Sequence, residues 1–440
     1  MPPSGDYYLT NLEHLLGWVA THHAPLLDPP AQGFIRQFGR LPVAARRLYV
    51  RLLLRRGPLF RADRLVYPEV DSVPDALLAL ALAGFASVLG RDDWQARLGL
   101  LTMPELRELY AGQADGAPSG ASRKSELLAA CKALGPKIAS ALPGAVRLEG
   151  GEDMALLRLL FFGNPRQDLV EYILADLNVL RFEPVAAAPE FAWQTAADVR
   201  SDLALHQCAS RVGRWKTDET VTLKELRGAH RILRTAGIDA LTERRRSRAL
   251  LRLSVCWRRA GYPARALACL QAASTPPARE QLCRGLARAG AVERARAVLA
   301  AMREAPRDAS ETRFAARFDP ARGRCLPRPR HCGIPRSRLV LGRCSHGTPI
   351  EEQVAGVLAG AGAWALHLEN LPIRALVGLA FWEVIFAPAP GAFVQPFQSG
   401  PRDLFDPQFR RLRQAALEDR LEAVADGRHG AAEQFATWRQ

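Results

Sequence analysis

Lysine is scarce in this chain of 440 residues: only five of its 60 basic residues are lysine. The chain has 45 acidic residues, so its formal net charge is +15. A cationic surplus on this scale favours a polyanionic partner such as nucleic acid. The arginine-rich usage also indicates a GC-rich coding sequence, which raises the arginine content without any functional demand. Net charge alone therefore leaves both explanations open.

Paired cysteines are lacking as well. The eight cysteines are scattered and form no CxxC motif, which argues against a disulfide framework. Cys325, His331, Cys332, Cys344 and His346 lie near one another in the sequence, but their spacing matches no standard zinc-ligand pattern. We therefore expect ordinary reduced thiols in an intracellular protein.

Long apolar runs and strand-like alternation are also rare. The most apolar windows, residues 73–90 and 375–390, contain Asp75 and Glu383 and are too short for a membrane span. They predict core helices, and no membrane partner is expected. No secretion signal is visible at the amino terminus, which favours a cytoplasmic location. The scarcity of period-two alternation predicts a mainly α-helical, multi-domain protein.

One helix–loop–helix pattern carries cations at the start of its second helix. Thr102 is placed to cap the first helix, with Glu105 in the first turn. After a loop rich in Gly and Ser, Arg123 and Lys124 begin a second helix that also contains Lys132. The element resembles a SAP module, in which these cations and the amides at the helix start would face phosphates. An ordinary hairpin with a solvated basic loop is the alternative.

A short internal repeat predicts stacked helices. The frame RAGxxxRA occurs twice and places Gly261 against Gly290 and Ala266 against Ala295, an offset of 29 residues. Small residues at fixed helical spacing let paired helices approach closely, as in tetratricopeptide-like hairpins. We expect a scaffold with a concave surface here rather than a catalytic centre.

An arginine run follows this repeat. Residues 321–343 contain seven arginines, Arg336 and Arg338 among them, and no acid. The run is either a solvated linker or part of a groove for a phosphate backbone.

A lone carboxylate precedes an apolar helix further along the chain. Asn370 is a suitable helix cap and Pro372 suits a first turn, which predicts a helix over residues 371–386. Glu369 then lies at the mouth of this helix, exposed in a cleft. Glu383 is fourteen residues further on, which corresponds to roughly 20 Å along a helix, too far to share a metal ion. Other ligands must come from elsewhere.

Several segments resemble the Fanconi-associated nuclease family. They are "HLEN", "GLAFWEVIFAPAPGAF" and "QPFQSGPRDLFDPQF" at and after Glu369, "LFFGNPRQDLVEYILADLNVLRFE" at residues 160–183, and "RRLYVRLLLRRGPLFR" closer to the amino terminus. These segments and the SAP-like hairpin occur in the family's order and cover nearly the whole chain. The composition is typical of a bacterial member.

The resemblance implies a mainly α-helical, multi-domain organisation. Residues 1–95 would form a helical amino-terminal domain and 96–195 a SAP-like DNA-binding region. Residues 196–320 would form a tetratricopeptide-like region, and 321–440 the helical first part of an α/β PD-(D/E)XK nuclease domain of the VRR-NUC type. Members cleave branched DNA near a 5′ flap and digest from the 5′ side, using Mg²⁺ or Mn²⁺, in interstrand-crosslink repair. The expected partners are branched DNA and repair proteins. The resemblance also implies a location at the bacterial nucleoid and a phosphodiesterase I type of reaction.

The same resemblance makes Glu369 the first metal-supporting glutamate. Carboxylates hold the metal, the metal lowers the pKa of water, and a lysine helps to place the nucleophile. A Pro-Asp followed by Glu-x-Lys completes the family's site, but this sequence lacks that pattern and has no lysine after Lys224. One interpretation is a structure-specific nuclease recorded as an incomplete chain, and the other is a non-catalytic binder of branched DNA. In either case we expect residues 1–440 not to cleave DNA. A helical scaffold unrelated to DNA is a third interpretation, which leaves "HLEN" unexplained.

Overall fold

Helices dominate the structure, a computed structural model, and its strands are few and short. It describes residues 6–113, 123–164, 167, 169–176, 179–186, 193–215, 221–235, 237, 240–327, 338–341, 348–359, 365 and 367–426. The chain forms two compact units, Met1–Gln207 with Val394–Ser399, and Cys208–Phe393 with Gly400–Gln440. The predicted mainly α-helical class is confirmed. Within the described ranges, no helix has both the length and the apolar character that a membrane crossing requires.

The first unit combines helices with one small sheet. Its elements in chain order are α1 (Tyr7–His22), α2 (Pro29–Arg40), α3 (Val43–Leu53), β1 (Leu59–Arg61), α4 (Val73–Leu82), β2 (Ala86–Val88), α5 (Trp94–Gly99), α6 (Met103–Ala111), α7 (Lys124–Ala133), β3 (Ala145–Leu148), α8 (Gly151–Phe162) and α9 (Leu169–Asp176). Short 3-10 helices cover Ala24–Leu26, Ala62–Arg64 and Gly135–Ala141. Helix α10 (Ala196–Arg214) starts in this unit and ends in the second.

Four aromatic rings form a packed cluster in the core of the first unit. Phe34, Phe38, Tyr49 and Phe85 are buried, and their ring centroids lie 5.0 to 6.3 Å apart. Gly150, directly before α8, has φ +78°, and a Cβ on it would lie 2.5 Å from the Phe34 ring and 3.1 Å from the Tyr49 hydroxyl. Glycine at this position is therefore what allows the backbone to pass against the rings.

The strands pair in the order β1-β3-β2, and a helical insertion separates β2 from β3. Val146 in the central strand pairs with Phe60 on one side and with Val88 on the other. The Leu89 N–H donates to the Ala145 carbonyl at 2.9 Å, where the insertion leaves and rejoins the sheet. The insertion, residues 90–144, contains α5, α6 and α7 and has its own buried cluster: Leu98, Leu101, Leu106, Leu127, Cys131, Ile138 and Leu142.

The second unit is built from helices and one short hairpin. Its elements are α11 (Leu223–Ile232), α12 (Ala240–Arg259), α13 (Pro263–Ala272), α14 (Ala278–Arg288), α15 (Val292–Glu304), α16 (Ala309–Ala315), β4 (Phe318–Asp319), β5 (Arg324–Cys325), α17 (Ile350–Ala359), α18 (Leu371–Ala380), α19 (Trp382–Phe386), α20 (Pro407–Leu412) and α21 (Gln414–Ala425).

The sequence repeat corresponds to two successive helical hairpins, α12–α13 and α14–α15. Gly261 and Gly290 follow the first helix of each hairpin, with φ +84° and +74°. The N–H of the next residue, Tyr262 or Ala291, bonds at 2.9 Å to the carbonyl five residues before it. This is the closure of a Schellman motif, which requires the left-handed residue that glycine supplies. The 29-residue offset is therefore the separation along the chain between the turns of the two hairpins.

The prediction that residues 73–90 form a core helix is wrong. Helix α4 ends at Leu82 and leaves Leu78 59% and Leu82 81% exposed, while residues 86–88 form a strand. Gly84, with φ +80°, separates the helix from the strand. Apolar composition predicted an ordered segment, but burial depends on what packs against it.

The predictions of one continuous helix over residues 371–386 and of a core helix over residues 375–390 are also wrong. Phe381, at φ −113°, lies between α18 and α19 and divides the segment in two. Helix α18 has no buried residue, and Leu371 and Ile373 are 63% and 64% exposed. Burial returns only at Val384, which is 4% exposed. The apolar pattern predicted helix correctly, but it carries no information about which surface faces the helix.

Candidate nucleic-acid interface

Three of the predicted DNA-contacting cations lie at the two ends of helix α7. Arg123 directly precedes the helix, Lys124 is its first residue and Lys132 lies in its last turn, and all three are exposed. Leu127 and Cys131 are buried in the core of the insertion, which fixes the orientation of the helix. Eight residues at 1.5 Å each separate Lys124 from Lys132 by about 12 Å. The insertion thus presents exposed positive charge at both ends of α7.

Part of the predicted anion site at the start of α7 is occupied by the chain itself. The Arg123 N–H donates to the Glu126 carboxylate at 3.2 Å, and the N–H groups of Glu126 and Leu127 donate to the Arg123 carbonyl at 3.1 and 3.3 Å. The Lys124 ammonium lies 3.5 Å from the Gly99 carbonyl. The amides of Arg123, Glu126 and Leu127 are therefore used within the chain, and the exposed cationic side chains are the main candidates for phosphate contacts.

The start of α6 is capped as the sequence predicts. Thr102 is the N-cap, and its N–H and hydroxyl donate to Glu105 at 2.7 and 2.8 Å. Arg61 and Arg64, on and just after β1, donate to the other oxygen of Glu105 at 2.5 and 2.7 Å. The Thr102 backbone bond and then the Arg61 bond lower the pKa of Glu105 to about 2. One carboxylate therefore caps α6 and ties the insertion to the sheet.

The Glu105 contacts are expected to make stability depend on pH. Because the folded-state pKa is about 2 and the usual value is 4.5, the stabilisation is present above pH 4.5 and is lost as the pH falls toward 2. We expect Glu105→Gln to lower the Tm at neutral pH. The difference in Tm between the variant and the wild type should become smaller in acid. Thermal unfolding followed by circular dichroism across this range measures both. A gap that does not change with pH would contradict the assigned contacts.

The arginine run lies only partly within the described residues. Arg336 falls outside them, whereas Arg338 is exposed. At the beginning of the run, Arg322 and Arg324 belong to the β4–β5 hairpin, and Arg322 lies 3.4 Å from the Asp319 carboxylate. The first part of the run is thus a hairpin rather than a linker, and a groove remains a prediction for the rest.

Helix α12 carries a cation cluster that the sequence analysis did not single out. Arg244 and Arg248 are four residues apart and share a helix face. Burial and then the charge of Arg248 lower the pKa of Arg244, with Asp406 opposing this, and the Arg244 guanidinium lies 4.8 Å over the Phe405 ring. Neighbouring cations raise the local positive potential, which attracts anions. The segment "ERRRSR" was the signal that could have revealed it.

Glu369 lies at the mouth of α18, as predicted, in an unusual backbone conformation. Its φ is +46°, the one positive φ at a non-glycine position among the described residues. Such a conformation costs on the order of 1–3 kcal/mol and is found most often at functional sites. The Glu369 side chain is 80% exposed, and the His367 imidazole lies 4.0 Å from its carboxylate.

The residues around Glu369 do not form a complete metal site. Across the described part of the chain, no group of three His, Cys, Asp or Glu side chains is placed to hold a metal ion. Glu369 offers one carboxylate, whereas the Mg²⁺ or Mn²⁺ site of the predicted chemistry needs several oxygen ligands. One carboxylate at this position is therefore insufficient to hold such an ion firmly.

Comparisons with known proteins agree on one family. A family model described as "FAN1, HTH domain" matches residues 6–87. The chain is 32% identical to a Fanconi-associated nuclease 1 homolog from Pseudomonas aeruginosa, with 97% of this chain and 77% of that protein covered. It is 24% identical to a Fanconi-associated nuclease 1 homolog from Oryza sativa, covering 97% of this chain and 51% of that protein.

Solved structures give the same relationship. A crystal structure of paFAN1 bound to DNA with a 2-nt 5′ flap and a gap matches with a TM-score of 0.80 and 29% identity, covering 97% of this chain and 79% of that one. A complex with a 1-nt 5′ flap gives a TM-score of 0.79 and 30% identity over the same shares. The chain belongs to the Fanconi-associated nuclease family, as the sequence motifs predicted.

Helix α4, at the end of the region that matches the helix-turn-helix model, is poorly suited to reading bases. Residues 73–82 contain no lysine or arginine, and the exposed positions include Leu78 and Leu82. Base edges are recognised mainly by hydrogen-bonding side chains. Cationic side chains such as those on α7 suit phosphate contacts better.

Proposed function

We propose that this chain recognises branched DNA with a 5′ flap as part of a structure-specific, metal-dependent DNA nuclease. Family membership and the likeness to paFAN1 bound to 5′-flap DNA support the proposal. The observation that carries it to named residues is the set of exposed cations at the two ends of α7, a helix of a separately cored insertion. Contacts from Arg123, Lys124 and Lys132 would be made to phosphates and would not select a base sequence.

The finer organisation is part of the same proposal. Residues 96–195 would act as a SAP-like DNA-binding region and 196–320 as a tetratricopeptide-like scaffold. Residues 321–440 would contribute the first part of a VRR-NUC nuclease domain, with Arg338 and Arg336 beside the DNA backbone and Glu369 as one ligand of Mg²⁺ or Mn²⁺. Crosslink repair is the proposed role and repair proteins are proposed partners. Binding to branched DNA would place the protein at the bacterial nucleoid.

Binding to defined DNA forms tests the recognition step. Fluorescence anisotropy would compare a 5′-flap duplex, a 3′-flap duplex and a blunt duplex of equal length with the purified chain. We expect the 5′ flap to bind most tightly, and log K to fall linearly with log salt concentration because phosphate contacts release counterions. Equal affinity for all three forms would overturn structure-specific recognition by this chain.

A cleavage assay tests the assignment of Glu369. We expect purified residues 1–440 to bind the 5′-flap substrate and leave it uncut with Mg²⁺ or Mn²⁺, because Glu369 supplies one carboxylate and one weakly held ion cannot position the attacking water. Gel analysis of labelled flap DNA reads the outcome, and Glu369→Gln is the matched control. Cutting by the wild type that Glu369→Gln abolishes would show that residues 1–440 hold further ligands.

A further inference from the structure

A groove runs between α13 and α14, where the two repeated hairpins meet. Its volume is about 510 Å³, within the range of roughly 300–1,000 Å³ that is typical of ligand pockets. Leu267, Leu270, Val255 and Ala266 give it an aliphatic floor. A Cβ on Gly285 would lie 2.6 Å from the Leu267 side chain, so this glycine makes room for the leucine that lines the groove.

The groove carries positive charge at its rim. Arg258, at the end of α12, and Arg288, at the end of α14, line the groove and are exposed. The Nε–H of Arg288 donates to the Arg284 carbonyl at 3.0 Å, which holds the Arg288 side chain at the rim. Arg284 is paired with Glu280 at 2.9 Å and lies 5.0 Å over the Phe314 ring. All the residues that line this groove are described, and none of them is an acid.

The aliphatic floor and the arginine rim together indicate which kind of ligand the groove can bind. A phosphate backbone placed in the groove would lose water against aliphatic side chains that offer no hydrogen bonds, which is unfavourable. An apolar side chain fits that floor, and carboxylates beside it would meet Arg258 and Arg288. Peptides recognised by grooves between helices commonly bind through apolar anchors of this kind.

We propose that the α13–α14 groove is a docking site for an acidic, leucine-rich segment of a protein partner. The apolar anchors enter above Leu267 and Leu270, and glutamate or aspartate side chains pair with the rim arginines. The proposal gives the helical repeats a role in recruitment that does not depend on DNA.

A short fluorescein-labelled peptide of alternating leucine pairs and glutamate pairs tests the proposal with the full 440-residue chain. We expect micromolar binding by anisotropy. Two control peptides separate the contributions, one with lysine in place of glutamate and one with serine in place of leucine, and neither is expected to bind. Equal binding of the lysine peptide, or no binding of the leucine–glutamate peptide, would overturn the proposal.

Charge reversal at the rim locates the site. We expect Arg258→Glu combined with Arg288→Glu to weaken peptide binding by roughly tenfold or more, because carboxylates then face carboxylates. The matched control, Arg294→Glu with Arg313→Glu, changes net charge equally at exposed positions of α15 and α16 outside the groove and should bind as the wild type does. Both variants change only exposed side chains, so circular dichroism should show unchanged folding. If the rim variant keeps its peptide affinity but loses affinity for 5′-flap DNA, the rim is a phosphate contact and the proposal fails.

Discussion

Reversing the charge of Arg123 and Lys124 to glutamate is expected to lower the affinity for 5′-flap DNA by roughly a hundredfold at low salt. Both side chains are exposed at the start of α7, so each substitution removes a cation from the candidate interface and adds an anion. Since each phosphate contact contributes about 0.9 to the salt slope, the slope should become shallower by about 2. Titrations at several salt concentrations give both quantities.

The architecture of α7 allows these substitutions to be read as effects on binding. The cap of the helix uses the backbone N–H of Arg123 and the Glu126 carboxylate, so both partners remain after the change. Arg36→Glu with Arg40→Glu, on exposed positions of α2, is a control with the same change in net charge. An equal loss of affinity in this control would mean that overall charge, and not the SAP-like element, governs binding. Replacing Arg123 and Lys124 by alanine should weaken binding to different sequences by similar factors.

Gly150→Ala is expected to destabilise the first unit by about 2–5 kcal/mol. A methyl group at φ +78° costs on the order of 1 kcal/mol, and forcing it into packed rings adds about 1–3 kcal/mol or more. The Phe34 ring cannot simply move away, since it also contacts Phe38 and Phe85 in the same core. Tyr49 is held as well, because its hydroxyl donates to the Glu149 carbonyl at 3.0 Å. Urea unfolding followed by circular dichroism gives the change in free energy.

Gly84→Ala measures the cost of the left-handed backbone conformation without the steric contact that a methyl group makes at position 150. Gly84 has a nearly identical φ of +80°, but no atom lies within 4 Å of where its Cβ would stand. We expect this variant to lose only about 1 kcal/mol, the cost of the left-handed conformation. Equal losses at the two positions would show that the aromatic core yields to the methyl group at position 150.

Local chemistry was the part of the fold that the sequence predicted best. The Thr102–Glu105 cap and the helix start at Leu371 after Asn370 appear where their residue types place them. These features depend on hydrogen bonds and backbone angles within a few residues. They are therefore visible in short sequence windows.

Long-range pairing was the part that the sequence could not supply. The three strands are only three or four residues each, too short for a period-two pattern, and β3 is separated from β2 by the whole helical insertion. Their pairing depends on contacts such as that between Phe60 and Val146, which no local signal records. The exposure of α18 is of the same kind, since the side chains of a helix do not specify what covers them.

The sequence predicted which cationic residues belong to the candidate site, but it did not predict their hydrogen-bonded surroundings. Arg123, Lys124 and Lys132 were chosen from a helix–loop–helix pattern, and the structure places them on one exposed helix. The hydrogen bonds from the N–H groups of Glu126 and Leu127 to the Arg123 carbonyl could not be predicted from residue spacing alone. The Arg244–Arg248 pair was missed because arginine is common throughout this chain, so one more cluster did not stand out.

The insertion between β2 and β3 begins and ends at adjacent positions of one sheet, which makes it a separable module. Its two ends are already joined by the bond from Leu89 to Ala145, and its buried cluster lies wholly inside it. A tight turn could therefore replace residues 90–144 without opening the sheet, and the excised segment could be closed on itself or grafted onto another hairpin. Evolution could exchange helical elements at this position by the same route.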